Sequence, residues 1–348
     1  KRQIVINSYI LYSTSCGFSS TTQGSPHLLS ASIYGSGSNS STLYTPALFH
    51  IPVTTIIVPI IAGTPVVYVI ACDSTDMVAE MERIHKPSAT VTAAMGRLIT
   101  AASMMGDMLK DKDDTVTLRL DGNGPCGEII AVADYNGNAR ASVQNNIVEI
   151  PLNEKGKLDV KGAVGTDGIL YVIKDIGLKE PYVGQTPIVS GEIAEDITNY
   201  FAVSEQTPSV CALGVLVNSD LSVANAGGFI IQLLPGCPDE DIDKIEKNIS
   251  QIDSVTNMLK KAMTPDDIAK TALAGFELDK LDESIMGYKC NCSRERVEQA
   301  LISTGIKNLN EMADSNEDTQ VECHFCDKVY KFTPNEIKSL IKSSSEKK

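Results

Sequence analysis

The chain has 348 residues, more than one small domain needs, and its 43% hydrophobic content is that of a protein that buries a real core. A net charge of −14 argues against nonspecific nucleic-acid binding through a basic surface. Four histidines (His27, His50, His85 and His324) and no tryptophan leave few candidates for histidine-based catalysis.

Residues 1–50 are left unassigned. After Lys1 and Arg2 no charged side chain occurs before Asp73, and residues 12–46 are rich in Ser, Thr and Gly, a linker-like or disordered composition. The apolar run from Ile51 to Cys72 is long enough for a membrane span. Pro52, Pro59, Gly63 and Pro65 interrupt it, and its Thr and Val content favours strands, so one or two strands with a hairpin across Ala62–Pro65 are expected, and no membrane association. A signal peptide fits badly, because the basic residues sit far from the run. The first residue is Lys rather than Met, so a fragment or a misassigned start is expected, with frameshifted or intergenic translation as one hypothesis for residues 1–50.

From Asp73 to Pro235 the pattern is that of an α+β domain in which helices pack on a largely antiparallel sheet. Asp73, Ser74 and Asp76 open a helix, and Ser88 is placed to cap a second. The second carries Val91, Met95, Leu98, Ile99, Ala102, Met105 and Leu109 at helical spacing, and its methionines read as core fillers. Strands are expected over Thr115–Leu120, Glu128–Ala133, Ala139–Gln144, Ile169–Lys174, Cys211–Val217 and Ala226–Leu234, with a helix over Glu192–Phe201. Asn136-Gly137 marks a hairpin, while Gly122-Asn123-Gly124 lacks the full glycine pattern of a phosphate loop and reads as a turn.

After Pro235 the composition shifts. Pro238 starts a helix with Asp239, Glu240 and Asp241 in its first turn and Lys260 and Lys261 at its end. Ile242, Ile245, Ile249 and Ile252 form one apolar stripe, and Thr264-Pro265-Asp266-Asp267 opens a short further helix. Residues 236–286 carry no strand signal. They read as a helical linker whose stripe needs a covering surface, with the sheet face of Cys211–Val217 and Ala226–Leu234 the expected counterpart. A plain extra helical layer fits the same pattern.

Nine cysteines are present. Cys16, Cys72, Cys126, Cys211 and Cys237 are scattered, a poor disulfide framework, and read as small apolar residues suited to a reducing cytosol. Cys290-Asn291-Cys292 and Cys323-His324-Phe325-Cys326 are paired by spacing inside a small C-terminal domain, residues 287–348, with little core of its own. Four thiolates suit the softness and tetrahedral preference of one Zn²⁺ better than an iron–sulfur cluster. His324 reads as a surface residue. Ser293 and the box Thr333-Pro334-Asn335-Glu336 cap helices on either side. Residue spacing leaves two roles open, a static zinc knuckle and a redox switch; zinc-held thiolates are what oxidants attack, and a Cys290–Cys292 disulfide closes a small, strained ring.

Tyr288-Lys289-Cys290-Asn291-Cys292-Ser293-Arg294-Glu295-Arg296 resembles the C-x-C-S-R-E-R signature of the heat shock protein 33 family, and Val321–Phe332 resembles its C-x-x-C segment. Ser190-Gly191-Glu192-Ile193-Ala194-Glu195-Asp196, Tyr200-Phe201, Ser204–Pro208, Ala226–Phe229, Gln232–Pro235 and Gly122–Pro125 fit as well, so the resemblance covers about Cys72 to Lys342. It implies a chaperone core over 51–235, a linker over 236–286 and a zinc-binding switch over 287–348. The implied activity is that of a cytoplasmic, ATP-independent holdase and not an enzyme. When reduced it holds zinc; oxidation pairs Cys290 with Cys292 and Cys323 with Cys326, releases zinc, frees the linker and exposes surface for unfolded client proteins. A homodimer in the oxidised state and transfer of clients to ATP-dependent chaperones are likewise implied. The rivals are a thiol–disulfide oxidoreductase and a zinc-ribbon nucleic-acid binder. Against the second, Glu295, Glu298, Glu322 and Asp327 offset Lys289, Arg294, Arg296, Lys328 and Lys331.

Overall fold

The structure, a computed structural model, describes the backbone of residues 2–6, 9–13, 53–62, 64–315 and 317–346, and the side chains of 67–315 and 317–342. Cys16, His27, His50 and most of the Ser/Thr/Gly-rich stretch lie outside the described residues. The chain divides into two compact units, Lys1–Tyr288 and Lys289–Lys348.

The first unit begins with β1 (Arg2–Ile6) and β2 (Tyr9–Ser13), an antiparallel pair. The apolar run then forms the expected hairpin, β3 (Val53–Ala62) and β4 (Thr64–Asp73), whose last paired residues are Ala62 and Thr64. There follow α1 (Thr75–His85), α2 (Ala89–Asp107), β5 (Thr115–Asp121), β6 (Ile129–Asp134), β7 (Ala139–Val143), α3 (Val160–Val164), β8 (Ile169–Asp175) and β9 (Tyr182–Pro187). The unit continues through α4 (Ala194–Val203), β10 (Ser209–Val217), β11 (Val223–Leu233), α5 (Asp239–Gln251), α6 (Val255–Lys260), α7 (Pro265–Ala272) and β12 (Asp282–Met286). Two antiparallel five-stranded sheets result, in the orders β10-β11-β4-β3-β12 and β7-β6-β5-β8-β9.

Helix α2 lies between the sheets, which is why it is apolar nearly all round: its residues from Thr90 to Gly106 are buried almost without interruption. Ser88 stands at its N-cap but does not cap it; the hydroxyl donates to the carbonyl of Val148 at 2.9 Å instead. The second sheet buries one face, so β5 alternates with Val116, Leu118 and Leu120 inward and Arg119 outward. The first sheet is covered on both faces. Ile70, Cys72, Cys211, Val215 and Ile230 face α2, while Val67, Val69, Ala71, Val210, Ala212, Phe229, Ile231 and Leu233 face the other way.

That second face is where the apolar stripe settles. Ile245 and Ile249 are fully buried on it, joined by Val255, Met258, Ile268 and Leu273, and Ile242 and Ile252 pack at its margin. The surface is wider than the two strands expected, since β4 adds Val67, Val69 and Ala71 to the residues of β10 and β11. The single helix expected from Pro238 to Lys261 is broken in two at Ile252. The Asp253 carboxylate accepts from Ser254 N and Asn257 Nδ2, and the Ser254 hydroxyl caps Asn257 N, so local side-chain bonds win over helical continuation. Nor is residues 236–286 wholly helical. Asp282–Met286 forms β12 on the free edge of β3, a pairing set by the tertiary edge and invisible in a segment with two apolar residues. Beyond it, Tyr288 ends the unit with its hydroxyl donating to Ala141 O at 3.0 Å and lying 3.0 Å from His85 Nε2.

The second unit contains α8 (Arg294–Ser303), α9 (Ile306–Asp314), β13 (Thr319–Glu322), β14 (Val329–Phe332) and α10 (Pro334–Glu346). Strands β13 and β14 form an antiparallel hairpin. Among the described residues its core is seven buried apolar side chains: Val297, Leu301, Leu309, Ala313, Tyr330, Phe332 and Ile337. So few leave a unit of this size dependent on some other source of stability.

Candidate metal centre

The sulfurs of Cys290, Cys292, Cys323 and Cys326 come together in the second unit, all within 4.8 Å of one another. Cys290 and Cys292 lie in the loop before α8, whose first turn is fixed by the Ser293 hydroxyl accepting from Arg296 N at 3.3 Å. Cys323 and Cys326 sit in the turn of the β13–β14 hairpin. There the N–H groups of Cys326 and Asp327 both donate to the carbonyl of Cys323, at 3.1 and 2.9 Å, and Asp327 takes the left-handed conformation that closes the turn. Across the two loops Cys290 Sγ lies 3.7 Å from Cys323 Sγ, and Cys292 Sγ lies 3.5 Å from Cys326 Sγ.

The two loops are held in register by Arg294, which follows the C-x-C pair by two residues. Its guanidinium donates to the carbonyl of Lys331 at 3.0 Å, pairs with Glu336 at 2.6 Å and stacks on Phe332, with the ring centre 4.2 Å away. Glu336 also completes the expected capping box, accepting from Thr333 N and Thr333 Oγ1 at 2.8 Å each. One arginine therefore links α8, β14 and α10. In the sequence Arg294 stands in the C-x-C-S-R-E-R signature and adds local positive charge, with no contact to point to this role.

Tyr330 is the residue that spacing did not single out. Alternation along β14 turns Tyr330 and Phe332 toward the small core, and the Tyr330 hydroxyl donates to Cys292 Sγ at 3.2 Å. Burial pushes the Cys292 thiol up, but the bonds from Tyr330 and from the neighbouring cysteines outweigh it and bring it down to about 7. Burial raises Cys290 and Cys326. Four sulfurs of this spacing form a donor set that a soft cation completes by drawing the thiol protons off. The residues present fit a tetrahedral four-sulfur metal site, and His324 lies exposed between Cys323 and Cys326 outside it.

The other described cysteines stand apart. Cys72, Cys126 and Cys211 are buried in the first unit and Cys237 is half-buried beside the linker helices; all are free thiols. Among the described residues no helix is long and apolar enough to cross a membrane.

The family model for Hsp33 protein matches residues 56–333. The chain belongs to the Hsp33 family. It is 50% identical over 275 residues to the 33 kDa chaperonin of Lachnoclostridium phytofermentans, covering 79% of this chain and 94% of that one. Its identity to the 33 kDa chaperonin of Clostridium beijerinckii is 45% over 278 residues, or 80% and 95% of the two chains. The crystal structure of the 33 kDa chaperonin (heat shock protein 33 homolog) from Thermotoga maritima superposes with a TM-score of 0.76 at 35% identity, over 85% of this chain and all of that one. The match to the Hsp33 family model opens at residue 56, inside β3.

Proposed function

We propose that this chain is a redox-regulated, ATP-independent holdase whose reduced form holds one Zn²⁺ through Cys290, Cys292, Cys323 and Cys326. The observation that carries the reading is the convergence of four sulfurs in a unit with seven buried apolar side chains among its described residues. A bound zinc supplies folding energy there, on the order of 10 kcal/mol in small zinc domains.

Peroxide attack converts two thiolates to a disulfide, with both electrons passing to the O–O bond and two hydroxides leaving, so two peroxides oxidise all four sulfurs. The pairs formed are Cys290–Cys292 and Cys323–Cys326. Disulfide sulfurs no longer carry the charge that holds a cation, and the small unit loses its main support. Only Lys289 separates Cys290 from Tyr288, whose hydroxyl is bonded to Ala141 and set against His85. Disorder beyond Lys289 thereby pulls on the end of the segment that covers the first sheet. When that segment lifts, Val67, Val69, Phe229 and Ile231 become surface for unfolding clients. The oxidised form is a homodimer, and clients pass onward to ATP-dependent chaperones, as the family resemblance implies. A cytoplasmic setting suits the three buried free thiols.

Two observations weigh against the rivals. Cys323 to Cys326 occupies a hairpin turn, not the start of a helix where an oxidoreductase lowers a thiol's pKa. Arg294, the most tightly held local cation, is engaged by Glu336 and Glu298, so it is not offered to phosphates. The test is light scattering from a heat-unfolding client. Suppression is expected after peroxide with mild warming and not with the reduced, zinc-loaded protein. Catalytic turnover in insulin reduction, or a retarded nucleic-acid band with no such suppression, overturns the proposal.

A further inference from the structure

Within the zinc-bound redox reading above, on which it rests, we infer that Tyr330 is a positioning residue that makes Cys292 the slowest of the four sulfurs to be oxidised. Three of the sulfurs are distinguished by what donates to them. Cys290 receives the N–H of Cys292, and Cys326 receives the N–H of Lys328. Cys292 receives a side chain, the Tyr330 hydroxyl at 3.2 Å. A backbone donor comes with any turn of this kind, whereas a hydroxyl brought in on a neighbouring strand is specific to this residue. The ring is held for the task. Tyr330 is 7% exposed, pairs across the hairpin with Val321, and carries Lys328 Nζ 5.1 Å from its ring centre.

The sign follows from the loaded state. With a cation bound all four sulfurs are thiolates, so they cannot differ in ionisation, only in nucleophilicity. A donated hydrogen bond withdraws electron density from the sulfur and fixes its orientation toward the cation, as outer partners of metal ligands do. The phenol O–H is a more acidic donor than the backbone N–H groups that reach Cys290 and Cys326, so Cys292 is the weakest nucleophile toward peroxide. Oxidation starts at another sulfur, which attacks the O–O bond, gains an S–O bond and expels hydroxide. A second thiolate then displaces that oxygen as hydroxide and closes the disulfide. Cys292 enters in the second role.

The experiment compares full-length, zinc-loaded wild type with Tyr330→Phe, which keeps the ring and removes only the hydroxyl. Zinc release is followed with a chromophoric chelator at several peroxide concentrations, and quenched samples are alkylated to place the first sulfenic acid by mass spectrometry. A tenfold rise in sulfur basicity scales to roughly a threefold rise in nucleophilic rate for a Brønsted coefficient near 0.5. Tyr330→Phe should speed oxidation at Cys292 itself about threefold, bringing it newly among the first residues oxidised, with total zinc release per unit peroxide rising by less than that and peroxide-free zinc loss unchanged. If wild type releases zinc on oxidation and Tyr330→Phe matches it in rate and order, the role of Tyr330 is overturned while the redox reading stands. Equal acceleration with and without peroxide means a loosened fold and also overturns it. A wild type that binds no zinc, or keeps it under peroxide, overturns both.

Discussion

The two units solve the problem of stability differently. In the first, α2 is enclosed by two sheets, and a second apolar layer of linker helices covers the outer face of one of them. In the second, seven buried apolar side chains stand beside a cluster of four sulfurs and an arginine that pairs, donates and stacks at once. Burial of apolar surface is indifferent to oxidants, whereas a sulfur-held cation is not. On the proposed redox reading, the division places the oxidant-sensitive chemistry where it can act without endangering the rest of the fold. Helices α5, α6 and α7 belong to the first unit by packing and precede the second in sequence.

The sharpest way to break the contrast is at the sulfurs. Replacing any one of the four by Ser should remove tight zinc binding, with a loss on the order of 10 kcal/mol of support for the small unit. Circular dichroism and metal analysis should show residues 289–348 unfolded and the first unit intact; a variant that retains full zinc removes its residue from the site. Next in size is the linker face. Ile245→Ser and Ile249→Ser each place a hydroxyl in a fully buried apolar site and should cost about 3 kcal/mol or more. They should give partial client holding without oxidant, measured by light scattering. The smallest effect sits within the robust unit. Burial, against a bond from Ser284 on β12, raises the Asp107 carboxyl at the end of α2 to about 6. The unfolded group titrates near 4, so the stability tied to its proton is complete below that pH and is lost as pH rises through about 6. Asp107→Asn should flatten the melting temperature across pH 4–6 and raise stability at pH 7 by on the order of 1 kcal/mol, given solvent screening.

Much of this was legible in residue order. The Cys spacing announced the cluster of four sulfurs because its geometry is local: two sulfurs per tight turn are readable from C-x-C and C-x-x-C. The same holds for the capping boxes at Thr264 and Thr333 and for the hairpin at Ala62–Thr64. What escaped depended on partners far along the chain. Strand β12 exists because β3 offers an edge, Ser88 lost its capping role to a carbonyl sixty residues on, and Tyr330 and Arg294 gained theirs from the packing of a hairpin on two helices. The break at Ile252 was local and still missed, because an apolar stripe running through it hid the competing bonds of Asp253 and Ser254.

The central claim is that oxidation of the small unit frees the linker helices. Hydrogen exchange on the zinc-loaded reduced protein and on the fully oxidised protein tests it most directly. Residues 239–272 should be protected in the reduced state through the burial of Ile245, Ile249, Met258 and Ile268, and should exchange freely once residues 289–348 have lost protection. Equal protection of residues 239–272 in both states, while client binding still switches on, would contradict the account and place the client surface elsewhere.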